Sequence, residues 1–351
     1  MVSADCAQHN KFKLTPNTGA VVVTVGSGGG REMLAACLLV LSCLTGGGLS
    51  SWGDQSSYYQ LCLQHCTRQT CSQPAAKAEW MSAQSLVETV VGVSCPQDCS
   101  YHCMWQTVEE MEARHGQIPQ FHGKWPFVRV WGLQEPASVL FSVLNLLTNL
   151  WMLVWFRGTV PSNSPMYGAW VFYSLTAINA WVWSTVFHTR DTDITEMLDY
   201  FSAFSTVLAS LLVCCLRMVG TDNIKAVIIT ALCVAFFSNH VYNMAFVSFD
   251  YGYNMKVNVG VGVLNGLAWL AWAFTHYQDG PHVKRGVLTI LCLSLGVLLE
   301  LLDFPPLLWV LDSHALWHLT TVPLPLLWYR FAAGDCLKLA RDGGHDEKKI
   351  L

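Results

Sequence analysis

Seven apolar runs, at roughly 137–156, 167–188, 198–216, 224–246, 257–275, 286–302 and 307–328, fill the last two thirds of the chain. Each is about 17–23 residues long, and a helix rising 1.5 Å per residue needs about 20 to cross the hydrocarbon of a bilayer. The expectation is an all-α membrane protein, a seven-transmembrane helix bundle. Composition agrees, since the 351 residues are 52% hydrophobic and 13% charged, against about 25% charged in a soluble domain. A net charge of -4 shows no basic excess, so no nucleic-acid partner is expected. Pro323 and Pro325 should bend the last helix.

The segment ahead of these runs is organised differently. Residues 1–51 read as an N-terminal extension and signal peptide, with the run 34–44 as its apolar core and cleavage expected between Gly46 and Ser51. Translation from Met33 would leave the first 32 residues as an extension. Residues 52–134 hold six of the fourteen cysteines, Cys62, Cys66, Cys71, Cys95, Cys99 and Cys103. Such a cluster suits three disulfides in an oxidising lumen, with fifteen pairings open; a cytosolic zinc cluster is the competing reading, and the spacings C-x3-C-x4-C and C-x3-C-x3-C are not its usual pattern. Cys214, Cys215, Cys233 and Cys292 lie in apolar runs and read as packing residues.

Residues 135–330 are assigned to the seven-helix domain and 331–351 to a cytosolic tail. Arg157, Arg217, Lys225, Lys284 and Arg285 fall on one side of the expected topology, together with the basic tail. By the positive-inside rule that side is cytosolic, which makes the disulfide-stapled N-terminal region luminal. The chain ends Lys348-Lys349-Ile350-Leu351, which resembles a dilysine signal for retrieval to the endoplasmic reticulum; a solvated basic end gives the same pattern.

Ionisable groups inside a bilayer cost about 2.5–3.5 kcal/mol each on insertion scales, so they are candidates for function. Here they are His188, Asp199, His240, Glu300, Asp312, His314 and His318. His314 and His318 are one helical turn apart, a spacing that lets two imidazoles share a metal. Ser184 and His188 are likewise one turn apart. In the expected topology the second helix ends, the third begins and the seventh enters on the luminal side, so His188, Asp199, His314 and His318 converge at one depth.

Three histidines with an open position suit a catalytic Zn2+, which lowers the pKa of bound water to about 7. Asp199 could take that water's proton and Ser184 could donate to a developing oxyanion. Asp312, two residues before His314, is a candidate to hold an imidazole N–H from behind. His240 reads as a packed, hydrogen-bonded histidine, and Glu300 has no evident partner in sequence. A Ser184–His188–Asp199 serine hydrolase is the competing enzyme, but it leaves His314 and His318 unused and lacks a G-x-S-x-G elbow.

Ser184 and His188, then Asp199, then His314 and His318 form a pattern that resembles the CREST superfamily of seven-helix membrane metallohydrolases. More closely, QFHGKWPF at 120–127, QEPAS at 134–138, STVFHTRDTD at 184–193, FDYGYN at 249–254 and ELLDFPP at 300–306 resemble the post-GPI-attachment to proteins factor three family. That resemblance runs from about residue 58 to 330. It implies a GPI-specific phospholipase A2 of the Golgi that removes the sn-2 acyl chain from GPI-anchored proteins, with His188, His314 and His318 as zinc ligands. Alternatives are a ceramidase-like amidase, a non-catalytic membrane receptor or chaperone for GPI-anchored proteins, and a metal transporter. The last should line a whole pore with polar groups, whereas here they gather at one end.

Overall fold

The computed structural model describes residues 52–300 and 302–350; the expected signal-peptide core lies outside them. The described residues are helices joined by short loops: α1 Trp52–Gln55, α2 Ser57–Cys66, α3 Pro74–Ala83, α4 Leu86–Val91, α5 Cys95–His115, α6 Pro136–Thr159, α7 Tyr167–Thr189, α8 Asp193–Val219, α9 Ile224–Tyr242, α10 Tyr251–Thr275, α11 Pro281–Glu300, α12 Ser313–Thr321 and α13 Leu324–Ile350.

The six cysteines pair in antiparallel order, Cys62–Cys103, Cys66–Cys99 and Cys71–Cys95, and so staple α2 to α5. The unequal spacing has a local cause. Cys95 and Cys99 are one α turn apart, whereas Cys66 and Cys71 are five residues apart, and Thr67–Cys71 is a π-helical turn whose wider ring absorbs the extra residue. All three sulfurs of that strip thereby stay on one face. Tyr59, Cys103, Val108 and Phe121 make the small core beneath the staples.

Among the described residues five helices are long and apolar enough to cross a membrane: α6, α8, α9 with its π-helical extension to Val247, α10 and α11. Two of the seven expected runs differ. Helix α7 has 23 residues but carries Tyr, Trp, Asn, Ser and His along its length, which dilutes its apolar character. The last run is divided. Residues 307–311 form a turn closed by a bridge between Leu307 and Leu311, α12 starts only at Ser313, and the chain breaks again at Val322-Pro323 before α13. The first break has a tertiary reason, because Trp309 leaves the bundle to pack edge-on against Trp105, with ring centroids 5.0 Å apart, and its carbonyl accepts from Val128 N–H at 2.9 Å.

The bundle is polarised. At one end Trp170, Trp269, Trp272, Trp328 and Phe331 form an aromatic core, beside a buried ion pair from Arg217 to Asp335 at 2.7 Å. Phe331, Ala332, Ala333, Asp335 and Cys336 are all buried there, so the boundary expected at residue 330 falls inside α13. The opposite end is polar, and the cysteine-stapled region lies over it. Gln134 and Glu135 N–H groups donate to the Thr189 and His188 carbonyls, Trp125 donates to Asp303 at 2.7 Å, and Arg190 donates to the Val91 carbonyl and to Gln97. Gly92, at φ +73°, ends α4 against that arginine in a left-handed conformation that glycine adopts without strain.

Candidate metal centre

Each histidine arrives by ordinary helix geometry. His188 is the penultimate residue of α7, one turn after Ser184, and His314 and His318 share a face of α12. Helix α12 begins there because Asp312 caps it, its carboxylate accepting from Ala315 N–H at 2.8 Å. This corrects one expectation. Asp312 precedes the first helical residue and serves the helix end, so it does not hold an imidazole.

The three rings face one another, and their ligand nitrogens all lie within 4.8 Å of each other. His188 Nε2 and His314 Nε2 are 3.4 Å apart. A tetrahedral zinc with Zn–N bonds of about 2.0–2.1 Å sets its ligand nitrogens roughly 3.3 Å apart, so this pair already has the spacing.

The other side of each ring is held. His188 Nδ1 lies 2.6 Å from Glu135 Oε2, His314 Nδ1 2.8 Å from Glu300 Oε1, and His318 Nδ1 3.0 Å from Ser142 Oγ. A carboxylate only accepts, so Glu135 and Glu300 keep the proton on Nδ1 and turn the Nε2 lone pairs of His188 and His314 inward. That is the arrangement a metal-binding histidine uses. The donor set, three neutral imidazoles backed by two carboxylates and a hydroxyl, fits zinc.

Glu135 is itself anchored by Lys124, at 2.9 Å, and Lys124 also reaches Asp191 at 2.8 Å. Burial pushes the Glu135 carboxyl up, but Lys124 and His188 outweigh it and hold the group well below the usual carboxylate range. Burial likewise works against the Lys124 ammonium, and Glu135 and Asp191 overcome it, raising the group above its ordinary value. The cysteine-stapled region thus reaches the histidines through Lys124.

Ser184 Oγ is 3.0 Å from Ser142 Oγ, which ties the predicted serine to His318 through one hydroxyl. Asp199, on the second turn of α8, makes no side-chain hydrogen bond to another described residue and lies near His188, His314 and Lys124. The structure therefore gathers Ser184, His188, Asp199, His314 and His318, with Asp312 beside them at the start of α12 but bonded to the helix end. His240, fully buried, sits apart, 3.2 Å from Asn254 Oδ1. Sequence reasoning missed Glu135, Lys124 and Ser142. Glu135 and Lys124 stand in the non-helical segment that leads into α6, within the quoted motifs QFHGKWPF and QEPAS, though no spacing relates them; Ser142 is one serine among several on an apolar helix and carries no signal.

The Per1-like family matches residues 85–336. "GPI-specific phospholipase A2-like PGAP3" of Mus musculus is 43% identical, over 88% of this chain and 97% of its own length. The Danio rerio protein of the same name is 45% identical, over 87% of this chain and 96% of its own. "Post-GPI attachment to proteins factor 3" of Drosophila melanogaster is 40% identical, over 84% and 92%. With a match of that extent lying over the histidine site, the chain belongs to the Per1-like family.

Proposed function

We propose that this protein is a zinc-dependent hydrolase that removes the sn-2 acyl chain of GPI anchors at the luminal face of the Golgi membrane, cycling through the endoplasmic reticulum by its dilysine end. The observation that carries the chemistry is the set of three imidazoles with their Nδ1 sides held by Glu135, Glu300 and Ser142. The names of the relatives, which read GPI-specific phospholipase A2-like, supply the substrate class. In this reading the bundle crosses the bilayer seven times, α7 and the α12–α13 pair adding two crossings to the five that length and composition give.

Bound zinc would supply a water acidified to a pKa of about 7 and a Lewis acid for an ester carbonyl. The chain's own residues do the rest. Glu135 and Glu300 fix the tautomers and ring planes of His188 and His314. Asp199, without a side-chain hydrogen-bond partner among the described residues, is the proton acceptor for water entering the site. His318, with its proton on Nδ1, donates to Ser142, so the Ser142 hydroxyl donates onward to Ser184 Oγ. The Ser184 proton is then directed away from Ser142 and is available to an oxyanion. Mass spectrometry of GPI anchors from cells whose own gene is deleted tests this. Expression of the wild type should yield lyso-GPI, and expression of H188A or D199A should not; lyso-GPI formation by a well-folded H188A variant would refute it.

A further inference from the structure

Helix α11 is 20 residues long, which puts Pro281 roughly 30 Å from Glu300 and the histidines. At that far end a cleft of about 510 Å³ opens between α11 and α13, lined by Asp279, His282, Arg285, Gly334 and Arg341 among others. Its chemistry is unlike that of the histidine site. The Arg285 and Arg341 guanidinium groups approach from two different helices, and neither meets a carboxylate among the described residues. Among the described lining residues Asp279 is the one acid, and Lys338 lies 3.7 Å from it and 2.8 Å from Asp342. His282, 6% exposed, lies in the wall with its ring stacked on Phe331.

We propose that this cleft binds a phosphate-bearing anion, with Arg285 and Arg341 as a two-sided clamp and His282 in its wall. Two guanidinium forks set across a cleft between membrane helices match a tetrahedral phosphate, and basic pockets of this kind receive anionic lipid headgroups. The source is either a lipid headgroup carrying a phosphate monoester or free phosphate.

The test uses the full chain in nanodiscs of three kinds: phosphatidylcholine alone, phosphatidylcholine with phosphatidylinositol 4-phosphate, and phosphatidylcholine with inorganic phosphate added. Native mass spectrometry counts bound lipid and thermal unfolding reports stabilisation. A gain with the phosphoinositide or with inorganic phosphate, weakened roughly tenfold or more in R285Q/R341Q and kept in K284Q, supports the site and tells its source. No gain in either arm, or a gain that survives in R285Q/R341Q, overturns it. Unfolding of the double variant in phosphatidylcholine alone checks its fold, and R285Q singly serves where the double variant is unstable. The outcome is independent of the histidine centre, because zinc content and acyl release are read at the other end of the bundle.

Discussion

Replacing Glu135 by glutamine separates the two tasks of this carboxylate. It now meets His188 Nδ1 at 2.6 Å and Lys124 Nζ at 2.9 Å. Glutamine keeps the volume but has one acceptor oxygen, so it can serve the imidazole or the ammonium, not both, and its amide can turn a donor toward Nδ1. Lys124 retains Asp191 at 2.8 Å, which limits the damage to the fold to one charged hydrogen bond, about 1.5–3 kcal/mol. The effect on His188 is larger in kind, because the proton is no longer fixed on Nδ1 and Nε2 is no longer reliably a lone pair. Loss of such a support costs about 10- to 100-fold in metal affinity. Chelator competition on purified protein should therefore show zinc bound 10- to 100-fold more weakly by E135Q, while the helical circular dichroism stays unchanged. K124M provides the contrast, leaving the carboxylate on His188 and disturbing stability more than zinc affinity. Wild-type zinc affinity in E135Q would refute the reasoning.

The other predictions follow from single contacts. S142A should keep its zinc within a few-fold yet lower the turnover of a GPI substrate by roughly tenfold or more, since Ser184 loses the donor that directs its proton; kinetics beside metal analysis distinguish the two. Because the Glu135 carboxyl is held below its ordinary value, its contribution to stability is present above the unfolded value of about 4.3 and is lost as pH falls through the folded one. Melting temperature should accordingly fall more steeply below about pH 4 in the wild type than in E135Q. D335N breaks the ion pair with Arg217, whose partner carboxylate is 1% exposed, and should cost about 3–5 kcal/mol by denaturant unfolding with zinc content unchanged. C71A/C95A opens a 24-residue separation and should destabilise the cysteine-stapled cap by about 3 kcal/mol.

How much of this was legible in the sequence differed by residue. Ser184 with His188, and His314 with His318, could be found because helix periodicity places i and i+4 on one face whatever the tertiary fold. Asp199 followed from the order of helix ends. Glu300 could not be partnered, since it reaches His314 across the loop 302–312, whose path is set by Trp309 docking on Trp105. The same docking shortened the last apolar run. Glu135 and Lys124 lie 11 residues apart in a segment without periodicity, so no spacing rule relates them. The disulfide pairing needed the π-helical turn at Thr67–Cys71, which side-chain patterns do not reveal.

The central claim is that the three histidines hold a zinc that the reaction requires. The measurement is free fatty acid released from a purified GPI-anchored protein by this protein once purified, as isolated, after chelation, and after zinc is returned. One zinc per chain, release that chelation abolishes and zinc restores, and no restoration in the H188A/H314A/H318A variant are the predicted results. Undiminished release from protein stripped of its metal, or from the triple variant, would contradict the account.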